Sequence, residues 1–330
     1  MKVLLTGGAG YIGSHTAVEL MRAGHDVVIV DNLSNADADV IDKIGQITGR
    51  KPVFYRGDMV NRGDVEKVFH DHDIDAVIHF AGFKAVGESV AKPLMYYRNN
   101  LISTLNLLDV MGAHGVKNLI FSSSATVYGM PEKLPITEDS PLGALSPYGY
   151  TKLAIERILG DVAAADGEWN ITMLRYFNPV GADASGLIGE SPRGIPNNLF
   201  PFIMRVATGE LKELGIFGND YDTPDGTCIR DYIHVSDLAA GHVRALKNMG
   251  GMRIYNLGTG RGYSVLECVN AFSRACGFDV PYVIKPRRPG DAPMVYADAT
   301  LAQRELGWQA EKTLDDMCRD CWNFQKNQKH

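Results

Sequence analysis

The chain has 330 residues, of which 45% are hydrophobic and 22% are charged, and its formal net charge is −6. The composition is ordinary for a soluble globular protein, and the length predicts one large domain plus a smaller one, or two closely joined domains. A pI near 5.9 gives no basic nucleic-acid-binding footprint. No stretch approaches the ~20 apolar residues of a membrane span, and no signal-peptide core follows Met1. We therefore expect a cytoplasmic protein with no nucleic-acid or membrane partner.

The cysteines and histidines do not indicate a metal site. There are five cysteines at irregular spacing, which favours reduced thiols in an unexported chain. Cys318 and Cys321 form a CxxC within a predicted amphipathic helix, but no second pair completes four zinc ligands. We interpret them as buried apolar cysteines, and His79 as a strand histidine with satisfied hydrogen bonds.

The chain begins with a pattern typical of dinucleotide-binding folds. Lys2–Thr6 reads as a buried strand, and Gly7, Gly10 and Gly13 follow it before an amphipathic helix. Gly7 would allow a tight turn, Gly10 the close approach of a pyrophosphate, and Gly13 the packing of helix on strand. This stretch therefore predicts the phosphate-binding turn of a cofactor site.

An acidic residue follows the next strand. Asp31 ends the run from Asp26 to Val30, roughly 20 residues beyond the glycines. Its carboxylate would bind the adenosine ribose hydroxyls and repel a 2′-phosphate, which predicts NAD over NADP. Asn32, Ser34 and Asn35 add polar groups to the same loop.

Three more strand–helix units predict a parallel, doubly wound sheet. Strands are expected at 51–55, 75–80 and 117–121, with the longest helix at about 93–112. Ligands bind beyond the carboxyl ends of such strands. The residues expected at or near that edge are Asp58, Ala81, Gly82, Lys84, Asn99, Ser122, Ser123 and Ser124.

The chemistry is predicted at two stretches, 122–129 and 146–152. Ser146 and Pro147 are typical of a helix start, so Tyr148 and Lys152 share one face of a helix. Burial raises the pKa of a tyrosine, but nearby positive charge lowers it, and a phenol whose pKa is lowered by a neighbouring ammonium would act as a general base. Tyr150 points about 200° away from Tyr148 and is interpreted as helix packing.

Ten segments resemble the extended short-chain dehydrogenase/reductase family, and within it the enzymes that epimerise sugar nucleotides. The resemblance covers nearly the whole chain in order. The segments are TGGAGYIG at 6–13, Asp31, HFAG at 79–82, SSSATVYG at 122–129, SPYGYTK at 146–152, RYFNP at 175–179, GIPNNL at 194–199, IFGNDY at 216–221, RDYIH at 230–234 and RRPGD at 287–291.

The resemblance implies an α/β fold with two parts. A Rossmann-type domain, residues 1–175 with a return of the chain at about 235–260, would hold NAD tightly. Residues 176–330 would form most of a smaller C-terminal α/β domain that binds a UDP-hexose. The implied reaction is reversible C4 epimerisation of UDP-galactose and UDP-glucose through a 4-keto sugar.

The resemblance also assigns roles to residues. Tyr148, Lys152 and Ser124 would be catalytic. The cofactor would be bound by Gly7, Gly10, Tyr11, Ile12, Gly13, Asp31, Asn32, Asn35, Asp58, Met59, Phe80, Ala81, Gly82, Lys84, Asn99, Ser122, Tyr148, Lys152 and Tyr176. The UDP-sugar would be bound by Ser124, Thr126, Asn178, Asn198, Leu199, Gly215, Ile216, Phe217, Arg230, Tyr232, Val265, Arg288, Asp291 and Val295.

Rival functions remain on the same scaffold. A sugar-nucleotide 4,6-dehydratase needs an acid and a base where this chain has Ala125 and Thr126. A decarboxylase of UDP-glucuronate type would carry Glu where Thr126 stands. A non-catalytic NAD-sensing regulator would not need Tyr148, Lys152 and Ser124 together.

Two further expectations concern substrate range and assembly. Some relatives carry tyrosine at the position of Val295, and a smaller residue there admits 2-acetamido sugars, although neighbouring Tyr296 would be able to fill the same space. The resemblance also implies a homodimer, formed by the helix near 93–112 and the helix that Ser146 begins. Galactose metabolism is the expected pathway.

Overall fold

The computed structural model describes residues 1–194, 196, 198–288 and 290–328. Thirteen strands lie in these residues: β1 (Lys2–Thr6), β2 (Asp26–Asp31), β3 (Val53–Arg56), β4 (Ala76–His79), β5 (Asn118–Ser124), β6 (Asn170–Tyr176), β7 (Asn178–Val180), β8 (Leu214–Phe217), β9 (Ile229–His234), β10 (Met252–Leu257), β11 (Gly262–Ser264), β12 (Tyr282–Lys285) and β13 (Met294–Val295).

The α-helices in the same residues are α1 (Tyr11–Arg22), α2 (Val40–Thr48), α3 (Arg62–Asp71), α4 (Val86–Ala91), α5 (Pro93–Ala113), α6 (Pro147–Ala165), α7 (Leu199–Ala207), α8 (Val235–Lys247), α9 (Val265–Cys276), α10 (Thr300–Leu306) and α11 (Leu314–Asn327). A 3-10 helix, Ala125–Tyr128, follows β5 directly.

Seven strands form one parallel sheet in the order β10-β6-β5-β4-β1-β2-β3. The chain runs outward from β1 to β3 and then back across β4 to β6, so the direction reverses between β1 and β4. Leu5 at this switch point pairs with Ile29 on one side and Ile78 on the other. The predicted doubly wound parallel sheet is confirmed, and a ligand is expected at the carboxyl ends of β1 and β4.

Both faces of this sheet are covered by apolar side chains. Successive residues of a strand point to opposite faces, so Leu5 packs with Leu20 and Leu238 of α1 and α8, whereas Leu4 packs with Leu107 of α5. Full burial of each leucine stabilises the fold by about 1.5–3 kcal/mol. The rigid sheet that results fixes the positions of the loops at its carboxyl edge.

Two strand boundaries differ from those predicted. Pairing of β3 with β2 starts at Val53, not at Lys51, because Pro52 has no backbone N–H to donate. β5 continues through the three serines, since Ser122, Ser123 and Ser124 pair in register with β6. The serines are therefore held on the sheet.

The rest of the chain builds a smaller α/β portion, as predicted. In it, β9 pairs with β7, β11 and β13, and β8 pairs with β12. Helices α7, α9 and α11 enclose a cluster that contains Phe200, Phe272 and Cys318. Between these elements the chain returns to the large sheet, where β10 pairs with β6.

Helix α11 carries the CxxC on its buried face, where Cys318 and Cys321 are free thiols. Within the described ranges, no cluster of three or more His, Cys, Asp and Glu side chains is arranged to hold a metal ion. In that same part of the chain, no helix combines the length and apolarity needed to cross a membrane.

Candidate active site

The loop between β1 and α1 lies against the end of β4. Gly7 has a φ of +68°, and a Cβ on it would lie 2.8 Å from the backbone nitrogen of Ala81. A Cβ on Gly13 would lie 2.6 Å from the carbonyl oxygen of Gly7. Backbone atoms cannot yield as a flexible side chain can, so glycine is required at both positions.

The first turn of α1 is open to an anion. Gly10 is the N-cap residue, and no side chain caps the helix. The first backbone N–H groups, those of Tyr11 and Ile12, therefore have no partner within the helix and point out of its positive end. This is the environment that a pyrophosphate needs, and it fits a dinucleotide.

Asp31 lies at the same edge with part of its acceptor capacity free. Its Oδ1 accepts from the backbone nitrogen of Leu33 (2.8 Å) and its Oδ2 from that of Ala9 (3.1 Å). Burial raises the pKa of Asp31, and these hydrogen bonds oppose the rise. A carboxylate has about four acceptor positions, so it can also bind a ribose diol.

Neighbouring polar groups surround this carboxylate. The amide of Asn32 donates to Asp58 (3.1 Å), and Asn35 accepts from the backbone nitrogen of Arg193 (3.4 Å). Met59, next to Asp58, is buried. The structure therefore brings together the residues predicted for the adenosine half of the cofactor.

The next group of predicted cofactor residues lies in the loop after β4 and on α5. Phe80 lies with its ring 5.1 Å from the ring of His242, and a Cβ on Gly82 would lie 3.2 Å from Asn100. Asn99 also donates to Asn100 (3.0 Å).

Lys84 in the same loop donates to Glu190 (3.1 Å), which also accepts from the amide of Asn198 (3.3 Å). Glu190 was not predicted from the sequence. Glu190 thereby connects Lys84, which is predicted to bind the cofactor, with Asn198, which is predicted to bind the substrate.

Helix α6 begins as the sequence predicts. Ser146 is the N-cap residue, its Oγ accepts from the backbone nitrogen of Gly149 (3.2 Å), and Pro147 is the first helical residue. Tyr148 and Lys152 are both buried against the sheet. Lys152 donates to the carbonyl of Ser122 (2.5 Å), and its Nζ lies 4.7 Å from the ring centroid of Phe121.

The pKa of Tyr148 differs from the prediction of a lowered value. Burial raises it to about 12, although a hydrogen bond from Ser124 opposes the rise. Burial also lowers the pKa of Lys152 to about 8. Water has been removed from both groups, and each charged form is disfavoured. The helical spacing alone did not reveal this cost of burial.

Tyr150, interpreted as helix packing, is 49% exposed on this chain. The rotation of about 200° that separates it from Tyr148 carries it to the outer side of α6. Of the two tyrosines, only Tyr148 lies in the site.

Ser124 is oriented by its neighbour. Its Oγ accepts from the backbone nitrogen of Thr126 (3.2 Å) and from the Thr126 hydroxyl (3.0 Å). With both lone pairs engaged, the Ser124 proton is free to be donated to an oxygen at Tyr148. A donor aimed at this position stabilises the phenolate form, as the direction of its effect on the Tyr148 pKa indicates.

Tyr176 completes the inner wall at the end of β6. It is buried, its hydroxyl contacts His242 Nε2 (2.5 Å), and a hydrogen bond with Ser122 partly offsets the rise in its pKa. The other ring nitrogen of His242 lies 2.9 Å from the carbonyl oxygen of Leu238. Burial lowers the pKa of His242 to about 4, so a neutral ring accepts from Tyr176.

The smaller portion contributes two arginines. Arg230 donates to the carbonyls of Ile229 and Ala292 (both 2.8 Å), and its guanidinium lies 3.5 Å from the carboxylate of Asp291. Arg288 lies with its guanidinium 3.9 Å from the ring centroid of Phe217. Because the aromatic ring lies against the face of the Arg288 guanidinium, the N–H groups at its edge remain available for a bidentate contact with phosphate.

Other residues predicted for the substrate lie on or at the start of β8, α7 and α9 in the smaller portion. Gly215, Ile216 and Phe217 lie on β8, with Ile216 buried. Leu199 and Val265 are the first residues of α7 and α9, and Asn198 is the N-cap residue of α7 without a side-chain capping hydrogen bond.

Three more of these predicted residues lie on or beside β9. Asn178 donates to the carbonyl of Asp231 (3.0 Å). Val295 pairs with Arg230 and contacts a cluster that includes Phe177. Tyr232 is buried in the core, with its ring 5.4 Å from that of Phe200. Its contact with the substrate stays a prediction.

The motif GIPNNL is only partly described, since Ile195 and Asn197 lie outside the described residues. Sequence reasoning also missed Glu156 and the role of Arg175. These side chains form a buried ion pair behind Lys152. Glu156 follows Lys152 by four residues, which places the two on one face of a helix, and this spacing is the signal that could have identified Glu156 from the sequence.

The sequence profile of the NAD dependent epimerase/dehydratase family matches residues 3–258. The chain belongs to this family. The chain is similar to the UDP-glucose 4-epimerase of Bacillus subtilis (strain 168), to which it is 57% identical over 99% of this chain and 97% of that protein.

Solved structures of similar proteins agree with the fold. The structure of UDP-glucose 4-epimerase from Bifidobacterium longum in complex with NAD+ and UDP is 56% identical, with a TM-score of 0.96 over 99% of this chain and 98% of its own. That from Stenotrophomonas maltophila, with bound NAD and formylated UDP-arabinopyranose, is 51% identical, with a TM-score of 0.97 over 100% and 99%. The family therefore extends over the whole chain at high identity.

Proposed function

We propose that this chain interconverts UDP-glucose and UDP-galactose by reversible epimerisation at C4, with NAD as its cofactor. The observation that carries the proposal is the convergence of Tyr148, Lys152 and Ser124 at the carboxyl edge of the sheet, beside the glycine turn. The high identity to UDP-glucose 4-epimerases over nearly the full chain supports it.

The described residues fit NAD on structural grounds. The turn at Gly7 and Gly13 has no space for a Cβ, the first turn of α1 is uncapped, and Asp31 has free acceptor positions. When bound, NAD accepts the C4 hydride of the sugar and later returns it. The chain's own groups supply binding, orientation and one proton transfer.

Tyr148 handles the proton in the proposed reaction. Its phenolate removes the proton of the sugar 4-hydroxyl and returns it at the end, so the enzyme is unchanged. Ser124 donates to the same oxygen atoms, and Lys152 supplies positive charge below them. The product differs from the substrate only in which face of the 4-keto sugar receives the hydride.

The UDP group is proposed as the fixed handle. Arg230 and Arg288 suit a diphosphate, and Asp291 suits a ribose diol. The sugar must turn over between the two hydride transfers, so strong polar recognition of the hexose would slow the reaction. Tight binding is therefore expected to depend on the smaller portion of the chain.

A dehydratase function is not favoured. The residues after Ser124 are Ala125 and Thr126, which form a 3-10 turn on the cofactor edge. Neither side chain can protonate a leaving hydroxyl at neutral pH. The site holds a reversible base without the second acid that loss of water requires.

We further propose that 2-acetamido sugars are accepted. Val295 is small and lies beside Phe177 and Val127 in one cluster. Tyr296 follows the end of β13, and its ring lies 3.8 Å from the position that a Cβ on Gly262 would take, so we propose that it leaves the space beside Val295 open. Turnover of UDP-galactose with none of UDP-GalNAc would reject this extension.

We also propose a homodimer through α5 and α6. Exposed leucine and isoleucine side chains recur along one side of α5 at Leu94, Ile102 and Leu105, and Leu145 and Tyr150 add apolar surface at the start of α6. Apolar patches of this kind mark protein interfaces. Sedimentation equilibrium of the purified protein tests this, and a monomer at micromolar concentration would contradict it.

Three broader assignments complete the proposal. Residues 1–175, with about 235–260, would form the NAD-binding domain, because β10 pairs with β6. Residues 176–330 would form most of the domain that binds the UDP-sugar. Galactose metabolism in the cytoplasm is the physiological setting that this substrate pair supports.

The test is direct. Purified protein is incubated with UDP-galactose and no added cofactor, and UDP-glucose is measured by chromatography. Formation of product without added NAD indicates that the protein retains its cofactor. If no product forms even after NAD is added, the proposed function is wrong.

A further inference from the structure

Three residues of α6 face three successive residues of β5. Tyr148, Lys152 and Glu156 are spaced by four and lie on one face of the helix. Tyr148 meets the hydroxyl of Ser124, Lys152 the carbonyl of Ser122, and Glu156 the hydroxyl of Ser123. The first two contacts belong to the site described above. The third has no role in the mechanism so far.

Glu156 is held from the other side by Arg175 of β6. The guanidinium Nε donates to Oε1 (3.0 Å) and Nη2 to Oε2 (2.7 Å), while Ser123 Oγ donates to Oε1 (2.5 Å). Nη1 of Arg175 donates to the hydroxyl of Tyr128 (2.9 Å) and to the carbonyl of Glu138 (3.0 Å). The carboxylate is therefore fixed in place.

This ion pair is not explained by stability alone. Both side chains are almost fully buried, with exposed fractions of 2% for Arg175 and 5% for Glu156. Apolar residues of similar volume often stabilise a core as well as a buried ion pair does, because two charges must be desolvated. The reason for burying these two charges is therefore expected among the groups next to the ion pair.

The pair faces Lys152, whose ammonium is itself removed from water. Burial lowers the pKa of Lys152, and the charge of Glu156 opposes that change. His79 also faces Lys152, but burial lowers its pKa to about 3 and leaves it neutral.

The other ionisable groups on the packed elements do not replace Glu156. The phenols of Tyr96, Tyr148 and Tyr176 all have raised pKa values and are neutral near pH 7. Arg175 is a cation and is neutralised by Glu156 itself. Among the described residues around Lys152, Glu156 supplies the one negative charge that acts on it.

We propose that Glu156, clamped by Arg175 and Ser123, is a positioning residue that keeps the Lys152 ammonium charged and aligned beneath Tyr148. The inference rests on the proposed function, in which that ammonium supports the phenolate. Glu156 touches neither substrate nor cofactor and acts through Lys152. Removal of its charge should leave the fold in place and move the titration of Lys152 to lower pH.

The test uses Glu156→Gln, which keeps the shape of the side chain and removes its charge. Lysine labelled with ¹³C at Cε is incorporated into the holoenzyme, and the Lys152 signal is identified by its loss in Lys152→Arg. Charges about 6 Å apart in a partly polarisable interior interact by enough to shift a pKa by roughly one unit or more. The Lys152 signal of Glu156→Gln should titrate lower than wild type by that amount, and the alkaline limb of kcat should move with it.

Asp320→Asn is the matched control. Asp320 is another buried carboxylate, paired with His234 and Arg319 in the smaller portion. This control should lower stability and leave both titrations in place. If it moves them as much as Glu156→Gln does, the effect is a general consequence of destabilisation and the proposal is rejected.

Other outcomes also decide the matter. If the Lys152 signal titrates at the same pH in wild type and Glu156→Gln, the proposal is wrong even where kcat falls. If Glu156→Gln does not fold, the double variant Glu156→Gln/Arg175→Met removes the uncompensated cation as well and must still lower the pH at which Lys152 titrates; an unchanged titration in it would reject the proposal. Because the NMR titration does not depend on turnover, a wild-type protein without epimerase activity would reject the proposed function separately.

Discussion

Two tyrosines of α6 provide a sharp test of the site. Tyr148→Phe removes the buried phenol that meets Ser124, whereas Tyr150→Phe removes a hydroxyl from the exposed side of the same helix. Both changes keep the aromatic ring. The first should abolish most turnover, and the second should leave kcat within a factor of two.

The expected size of the effect follows from the role of Tyr148. A positioned general base contributes roughly 10²–10⁴-fold to a rate, or about 3–5.5 kcal/mol of barrier. Loss of one hydrogen bond with Ser124 costs only about 1 kcal/mol of unfolding free energy. The kinetic effect should therefore greatly exceed the change in stability.

The assay measures UDP-glucose formed from UDP-galactose, the NAD released on denaturation, and the melting temperature. Tyr148→Phe should keep its NAD and melt within a few degrees of wild type while kcat falls at least a hundredfold. If Tyr148→Phe retains more than a tenth of wild-type kcat, the phenol is not the base. A chain that only senses NAD would lose no measured property in either variant.

Three further predictions concern the cofactor, the substrate and the lysine. Gly13→Ala places a Cβ 2.6 Å from the carbonyl oxygen of Gly7, so it should lower both the NAD content and the melting temperature. Gly87→Ala is the control, because nothing lies near its Cβ, and it should change neither property. Equal NAD content in the two variants would contradict this prediction. Val295→Tyr should abolish turnover of UDP-GalNAc more than that of UDP-galactose, and equal losses would contradict the assigned pocket. Lys152→Met should stabilise the fold by up to about 3 kcal/mol at pH 7, since burial lowers the pKa of the lysine from 10.5 to about 8. The unfolded chain binds the lysine proton more tightly than the folded chain does, so the stability of wild type should approach that of the variant as pH rises from 8 to 10.5. Denaturant unfolding of both proteins at pH 8 and at pH 10.5 checks this sign.

Local spacing was sufficient to propose residues for the cofactor half of the site. The turn at Gly7, the strand-end carboxylate at Asp31 and the pair Tyr148 and Lys152 each depend on residues close together in the chain. Their backbone context, a strand followed by a helix, is also local. The same logic predicted the parallel sheet, because alternating strands and helices permit few topologies.

Contacts between distant parts of the chain were beyond such reasoning. Glu156 and Arg175 are 19 residues apart, Tyr176 and His242 are 66 apart, and Lys84 and Glu190 are 106 apart. Arginine and glutamate are mostly surface residues in sequences of this composition. Only the fold reveals that these particular side chains are buried together.

The direction of the Tyr148 pKa was missed for the same reason. The sequence identifies a cation four residues away, which lowers a phenol pKa, but burial is a property of the folded chain. In the structure, burial dominates both groups. The sequence therefore predicted that Tyr148 and Lys152 share one face of a helix, and it predicted the wrong direction for the pKa of the phenol.

The raised pKa of Tyr148 also constrains how the site works. A phenol with a pKa of about 12 must lose its proton before it can accept one from the sugar, and at pH 7 that costs about 7 kcal/mol. Positive charge near the phenolate lowers this cost. Bound NAD would supply such a charge in its oxidised nicotinamide ring, alongside the Lys152 ammonium, and Tyr148 would then be more readily deprotonated to act as a base while the cofactor is oxidised. Under this balance Lys152 must stay charged in spite of its burial, which gives the ion pair of Glu156 and Arg175 its place in the site.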